Sequence, residues 1–508
     1  MTKKPKTPSF ILELPIEVPP REMHLVLARL DAARQVYNAC LGESLRRLAL
    51  LRQSKAYQAA RKMPKSRART AAFSAARQTH GFREYDLHAY AAQFNHCWIG
   101  DHLDIHVIQK LATRAFAAAD RYAFGKAGRP RFKGRNQLDS MEGKNDASGI
   151  RWRDGRVEWN GLSLRAMIDP EDRVVAHGLA HRVKYTRIVR RKLNGKDRFF
   201  AQLVLEGEPF RKPEHKIGTA LVGLDQGPST LAAVAPEAGF ALKETVCAEL
   251  DTRQAEIRRL QRKIDRQRRA NNPDNYNPDG TVKKGRRTWK SSPRMRKTAD
   301  RLAEVRRRQA AHRKSIQGRK INKLLEVGNK FKIEDVSKKA WQRMFGRSVS
   351  HRAPGMLVDR LVRKAESAGG WTDSFPTRTT RLSQVCHCGA EVRKRLSDRR
   401  HVCPRCGIDC DRDLYSAFLA SCVEGGRLDA GRAEKLWPGV DALLRAASGL
   451  WYQQAKGGRK LSHAGETRRQ SLSPVESGTN CGEAHDVVVP LKGRERARAA
   501  EAPGTPRL

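Results

Sequence analysis

The chain has 508 residues and carries 101 Lys and Arg against 54 Asp and Glu, a formal net charge of +47. Such an excess repels itself unless a polyanion neutralises it, so nucleic acid is the expected partner and binding should weaken steeply with salt. No run approaches the roughly 18 apolar residues of a membrane span, Glu13 and Pro15 spoil the basic start as a secretory signal, and ten cysteines are too few for a disulfide scaffold. A cytoplasmic, nucleoid-associated protein with no membrane partner is expected.

In chain order, residues 1–20 contain FILELPIEVP, a partly alternating, β-branched stretch that predicts one strand. From 21 to 147 apolar residues recur at spacings of three and four, as in MHLVLARLDAARQVYNACLGESLRRLALL, which predicts a helical domain with basic outer faces. It ends in a Gly, Pro and Arg rich loop, AGRPRFKGRNQ. Residues 148–215 alternate again, with turn signals at Asp154-Gly155 and Asn194-Gly195. The expected architecture is multidomain α+β, with these strands and the first one closing a β-barrel into which the helical domain is inserted.

A second core begins near 216, where IGTALVGLDQGPSTLAAVA predicts a strand, a turn at Gly227-Pro228 and a return strand. Residues 251–327 predict a helical hairpin, with Ile257, Leu260 and Ile264 of the first arm facing Leu302, Val305 and Ile316 of the second, and a Pro, Gly and Asn rich tip between the arms. Over 251–325 there are 25 Lys or Arg against seven acids, more than solubility demands, so the hairpin is read as lining a nucleic-acid groove. Residues 447–508 lack periodicity and are read as a disordered tail.

Three acids stand out. Asp225 follows the apolar Val222-Gly223-Leu224, Glu334 follows Phe331-Lys332-Ile333, and Asp413 lies at the start of a short apolar helix. Carboxylates at two strand ends and one helix start can meet at a sheet edge and hold two Mg²⁺ roughly 4 Å apart for phosphodiester hydrolysis. Asp335 competes with Glu334, and Asp409 and Asp411 compete with Asp413, Asp411 also being placed as an N-cap. Spacing alone leaves these alternatives open.

Cys386 and Cys388 are followed, 15 residues after Cys388, by Cys403 and Cys406, each pair trailed by a glycine, Gly389 or Gly407. A four-thiolate Zn²⁺ site is expected, structural because four protein ligands leave no open position. The first pair, C-H-C, is one residue short of the usual spacing, so His387 or His401 is kept as a substitute ligand.

The motifs GLDQGPSTLAAV, KIEDVS, TTRLSQVCHCG, HVCPRCG and DRDLYSAFLA, with the basic hairpin between the first two, resemble those of TnpB-type nucleases and their descendants, the compact type V CRISPR effectors. The resemblance spans about 216–422; upstream, ARLDAARQVYNACLGESL and RPRFKGR are more weakly similar. It implies an RNase H fold, RuvC-like domain split over 216–250, 328–385 and 409–446, with 386–408 as a target-strand-loading insert and the barrel as a wedge domain around the helical recognition domain. It implies Asp225, Glu334 and Asp413 as the catalytic, Mg²⁺-binding acids, and a guide RNA that pairs with one strand of target double-stranded DNA. The family's Asn two residues after the third acid is Tyr415 here. The long N-terminal half favours a CRISPR effector over a transposon-encoded TnpB; guided binding with weak or no cleavage is the alternative, and oligomeric state is open.

Overall fold

In the computed structural model, which describes residues 8–395 and 398–458, the N-terminal alternation forms strand β1 (Ser9–Ile16) with Leu12, Leu14 and Ile16 buried. Helix α1 (Pro20–Gln53) follows, and its apolar stripe, including Val26, Leu30, Val36 and Leu41, packs with that of α2 (Ile105–Ala123), where Val107, Ile108, Leu111 and Ala115 are buried. Asp104 caps α2 by accepting from the backbone N–H groups of His106 and Val107. Shorter helices at Lys55–Lys62, Arg67–Thr79 and Glu84–Ala92 fill the span between them.

Among the described residues no sheet closes into the expected β-barrel. Strands β2 (Ser140–Glu142), β6 (Val183–Leu193) and β7 (Lys196–Glu206) join β1 in an open sheet of order β1-β7-β6-β2, while β3 (Arg151–Arg153), β4 (Arg156–Trp159) and β5 (Leu162–Arg165) form a separate sheet. The two touch through a bridge between Ile16 and Ala166. Closure needs both edge strands to find partners along their length, and β2, three residues long, is too short to provide one. The turn signals are real: Asp154-Gly155 and Asn194-Gly195 all have positive φ, the backbone that two-residue hairpins require.

The second core is a five-stranded sheet of order β10-β9-β8-β11-β12, built from β8 (Leu221–Gln226), β9 (Thr230–Ala235), β10 (Phe240–Thr245), β11 (Lys330–Asp335) and β12 (Trp371–Pro376). The first three form an antiparallel meander, whereas β11 runs parallel to both β8 and β12. Both faces are covered, which is why β8 and β9 read as continuous apolar runs. Val222, Leu224, Phe331 and Ile333 pack against Ile316, Ile321, Leu324, Leu357 and Leu361 of α4 (Pro293–Val327) and α5 (Pro354–Ser367). The opposite face lies under α6 (Arg412–Ser421), whose Leu414, Ala417 and Phe418 share a core with Ala232 and Val234.

The basic insertion pairs α3 (Gln254–Asn271) with α4 along Ile257, Leu260, Leu302 and Val305, while Ile316 belongs to the sheet core instead. At its tip Asn272, 6% exposed, donates to the carbonyls of Arg268 and Lys290 and accepts from the Lys290 N–H. Strands β13 (Arg400–Val402) and β14 (Asp409–Asp411) form a hairpin that runs directly into α6. Helix α7 (Ala430–Gly458) extends into the segment read as tail, the rest of which lies outside the described residues. The chain to Trp451 forms one compact unit; of a second, from Tyr452, the described part is the end of α7. No described helix is long and apolar enough to cross a membrane.

Candidate carboxylate edge and cysteine knuckle

The sheet register positions the acids. Gly223 pairs with Lys332 and Leu224 with Ile333, so Asp225 and Glu334 come one residue later at the C-terminal ends of adjacent parallel strands. Open sheets with parallel strands commonly bind ligands outside such ends. Gly223 sets the distance to the third acid. A Cβ there would lie 2.1 Å from the Ala417 carbonyl oxygen and 2.4 Å from the Ser421 nitrogen, so only glycine lets α6 pack this closely on β8. The close helix delivers Asp413 toward Asp225.

Asp225 keeps some contact with solvent, but crowding by protein raises its pKa well above the usual carboxylate range, and the negative charges of Asp413 and Glu334 raise it further. Glu334 is also raised by burial, opposed by the Leu382 N–H and by the Thr380 hydroxyl, whose oxygen is 3.4 Å from Glu334 Oε1. Asp413 is 6% exposed; burial pushes its pKa up, but Lys243 and Arg412 outweigh this and hold it low. Its two oxygens are both engaged, Oδ2 by Lys243 Nζ at 3.0 Å and Oδ1 by Arg412 Nη2 at 3.1 Å.

The competing acids have other tasks. Asp411 caps α6, accepting from the N–H groups of Asp413 and Leu414 at 3.0 and 3.1 Å, and is ion-paired to Lys243 at 2.7 Å. Asp409 faces outward to Arg400, which lowers its pKa, and Asp335 is exposed. The three remaining carboxylates feel one another, yet their oxygens do not converge tightly. Among the described residues, the one group of three or more candidate ligands with all atoms within 4.8 Å is the cysteine quartet.

That quartet is Cys386, Cys388, Cys403 and Cys406, with Cys386 Sγ 3.5 Å from Cys406 Sγ and Cys388 Sγ 3.5 Å from Cys403 Sγ. A tetrahedral thiolate site with metal–sulfur bonds of about 2.3 Å has edges of about 3.8 Å, so the donor set fits a structural metal as it stands. The backbone prepares it. Gly389 and Gly407 take φ of +84° and +71°, turning each loop back so that its N–H bonds the Cys386 or Cys403 carbonyl. Burial would raise the Cys403 thiol, but the N–H groups of Cys406 and Arg405 bring it down to about 7.

Neither histidine kept as a substitute ligand joins the cluster. His387 Nδ1 lies 3.0 Å from the Tyr415 hydroxyl, and the fully buried His401 turns its Nδ1 to Lys394. Tyr415 is equally buried: its hydroxyl accepts from the His387 N–H at 3.0 Å and sits 3.3 Å from Cys386 Sγ. It ties the knuckle to the helix that carries Asp413.

Sequence inspection missed Lys243. It pairs across β10 and β9 with Ala232, which in turn pairs with Asp225, so the three lie in one row facing α6. The signal was a lysine directly after the apolar Phe240, Ala241 and Leu242 of the FALKET strand.

The family model described as Cas12f1-like, TNB domain, matches residues 355–419, from α5 through the knuckle to α6. Among solved structures, the chain is similar to a "Cas12f1-sgRNA-target DNA complex" at 10% identity and TM-score 0.43, over 82% of this chain and 99% of that one. It is also similar to a "CRISPR-Cas12f Ternary Complex" at 12% identity and TM-score 0.25, over 78% of this chain and 81% of that one. No curated protein matched. The family likeness thus rests on residues 355–419, which match the Cas12f1-like TNB domain.

Proposed function

We propose that the chain is an RNA-guided DNA endonuclease whose single cutting site is the carboxylate edge of the five-stranded sheet. Residues 216–250, 328–385 and 409–446 make its RuvC-like core, and Asp225, Glu334 and Asp413 hold two Mg²⁺. The observation that carries this reading is the placement of Asp225 and Glu334 at the ends of adjacent parallel strands with the helix bearing Asp413 packed tightly on β8, a crowding of acids that drives the Asp225 pKa up. Such a group is relieved by a divalent cation. Bound there, magnesium would activate water and neutralise the leaving 3′ oxygen.

The chain's own residues divide the remaining work. Gly223 lets α6 approach, Asp411 caps it, and Thr380 and the Leu382 N–H orient Glu334. The knuckle holds structural Zn²⁺, with four thiolates and no open position, and so fixes the start of α6. The net charge of +47 fits a guide RNA and target DNA as partners, and a groove lined by Arg258, Arg259, Arg262 and Arg266 of α3 suits a phosphate backbone.

With guide RNA and Mg²⁺ the protein should cut matched DNA. Asp225→Ala should slow cutting at least about a thousandfold while leaving DNA binding intact; unchanged cutting by this variant would remove the mechanism. A second reading, guided binding without cleavage, draws on the double engagement of Asp413 by Lys243 and Arg412. A positive gel shift beside a blank cleavage assay would favour it.

A further inference from the structure

Lys243 is 3% exposed, and its ammonium donates to both oxygens of Asp411, at 2.9 and 2.7 Å, while lying 3.0 Å from Asp413 Oδ2. Its side chain is the more enclosed of the two cations on Asp413, 1% exposed against 13% for Arg412. Lys243 is enclosed between β10 and α6, while Arg412 reaches Asp413 Oδ1 from the more open side through Nε at 3.3 Å and Nη2 at 3.1 Å.

We infer that Lys243 is a positioning residue of the carboxylate edge: it ties Asp413 through Oδ2 and reserves Oδ1, from which Arg412 can move away, for a divalent cation. This deepens the nuclease reading and rests on it. A fixed ammonium at Oδ2 selects one orientation of the Asp413 carboxylate before any ion arrives. Partners behind a metal ligand typically change affinity or activity by about 10- to 100-fold.

Lys243→Met alone would strand the buried Asp411 charge and can fail to fold, so the decisive variant is Lys243→Met with Asp411→Asn. It removes one charge of each sign and keeps a residue able to cap α6. Mn²⁺ binding is read by titration without nucleic acid, and guided cleavage is measured separately at saturating Mn²⁺. The double variant should melt near the parent in EDTA, bind Mn²⁺ about tenfold more weakly and cut at least about tenfold more slowly. A double variant that binds Mn²⁺ and cuts like the parent overturns the inference alone. A parent that neither binds Mn²⁺ nor cuts overturns the nuclease reading and this inference with it.

Discussion

The cysteine knuckle and the carboxylate edge lie at opposite ends of one short connection, yet they are prepared in opposite ways. The four sulfurs are already gathered within 4.8 Å of one another by two glycine turns and a hairpin. The carboxylates are placed in one neighbourhood but held short of convergence, Asp413 being drawn onto Lys243 and Arg412. Neutral thiols tolerate close packing; charged carboxylates do not unless a cation accompanies them. The quartet is thus pre-assembled by backbone geometry, whereas the carboxylates are kept apart on cationic partners.

Three changes sharpen this contrast. The largest effect is expected at the knuckle, where Cys406→Ser should abolish stoichiometric zinc, read by atomic absorption, and cost on the order of several kcal/mol of stability. Retention of zinc with unchanged melting would mean the quartet does not act as a metal site. Next is Gly223→Ala, whose Cβ meets backbone atoms of α6 that cannot turn aside. It should destabilise the protein by about 1–3 kcal/mol and reduce cutting more than DNA binding. Chemical denaturation curves matching those of the parent would contradict the close packing.

The smallest effect is the most diagnostic. Because the folded pKa of Asp225 lies above its unfolded value, its favourable contribution is complete below about pH 4 and is lost as pH rises through the folded pKa. Asparagine cannot ionise. In EDTA, Asp225→Asn should therefore melt a few degrees or so above the parent at pH 8, with the gap narrowing toward pH 4. Added Mg²⁺ should raise the parent and erase the gain. A variant that melts below the parent at pH 8 would show that Asp225 is not under strain.

What was legible in the sequence depended on how local the cause is. The cysteine spacing and its trailing glycines act within a few residues, and the apolar runs ending at Asp225 and Glu334 mark strand ends directly. The turn pairs Asp154-Gly155 and Asn194-Gly195 were legible for the same reason. The barrel was not, because closure depends on which strands find partners, and β2 is cut to three residues by nothing its alternation reveals. Lys243 escaped because its meaning arises from cross-strand register, two strands away from Asp225. Tyr415, a departure from the family pattern, acquires its role only when α6 meets the knuckle.

The central claim is that Asp225, Glu334 and Asp413 share divalent ions. Anomalous scattering from crystals soaked in Mn²⁺ tests it most directly. The account predicts density in contact with all three carboxylates, with Arg412 withdrawn from Asp413 and Lys243 still in place. Density absent from that edge, or bound to one acid while the others keep their present partners, would contradict it.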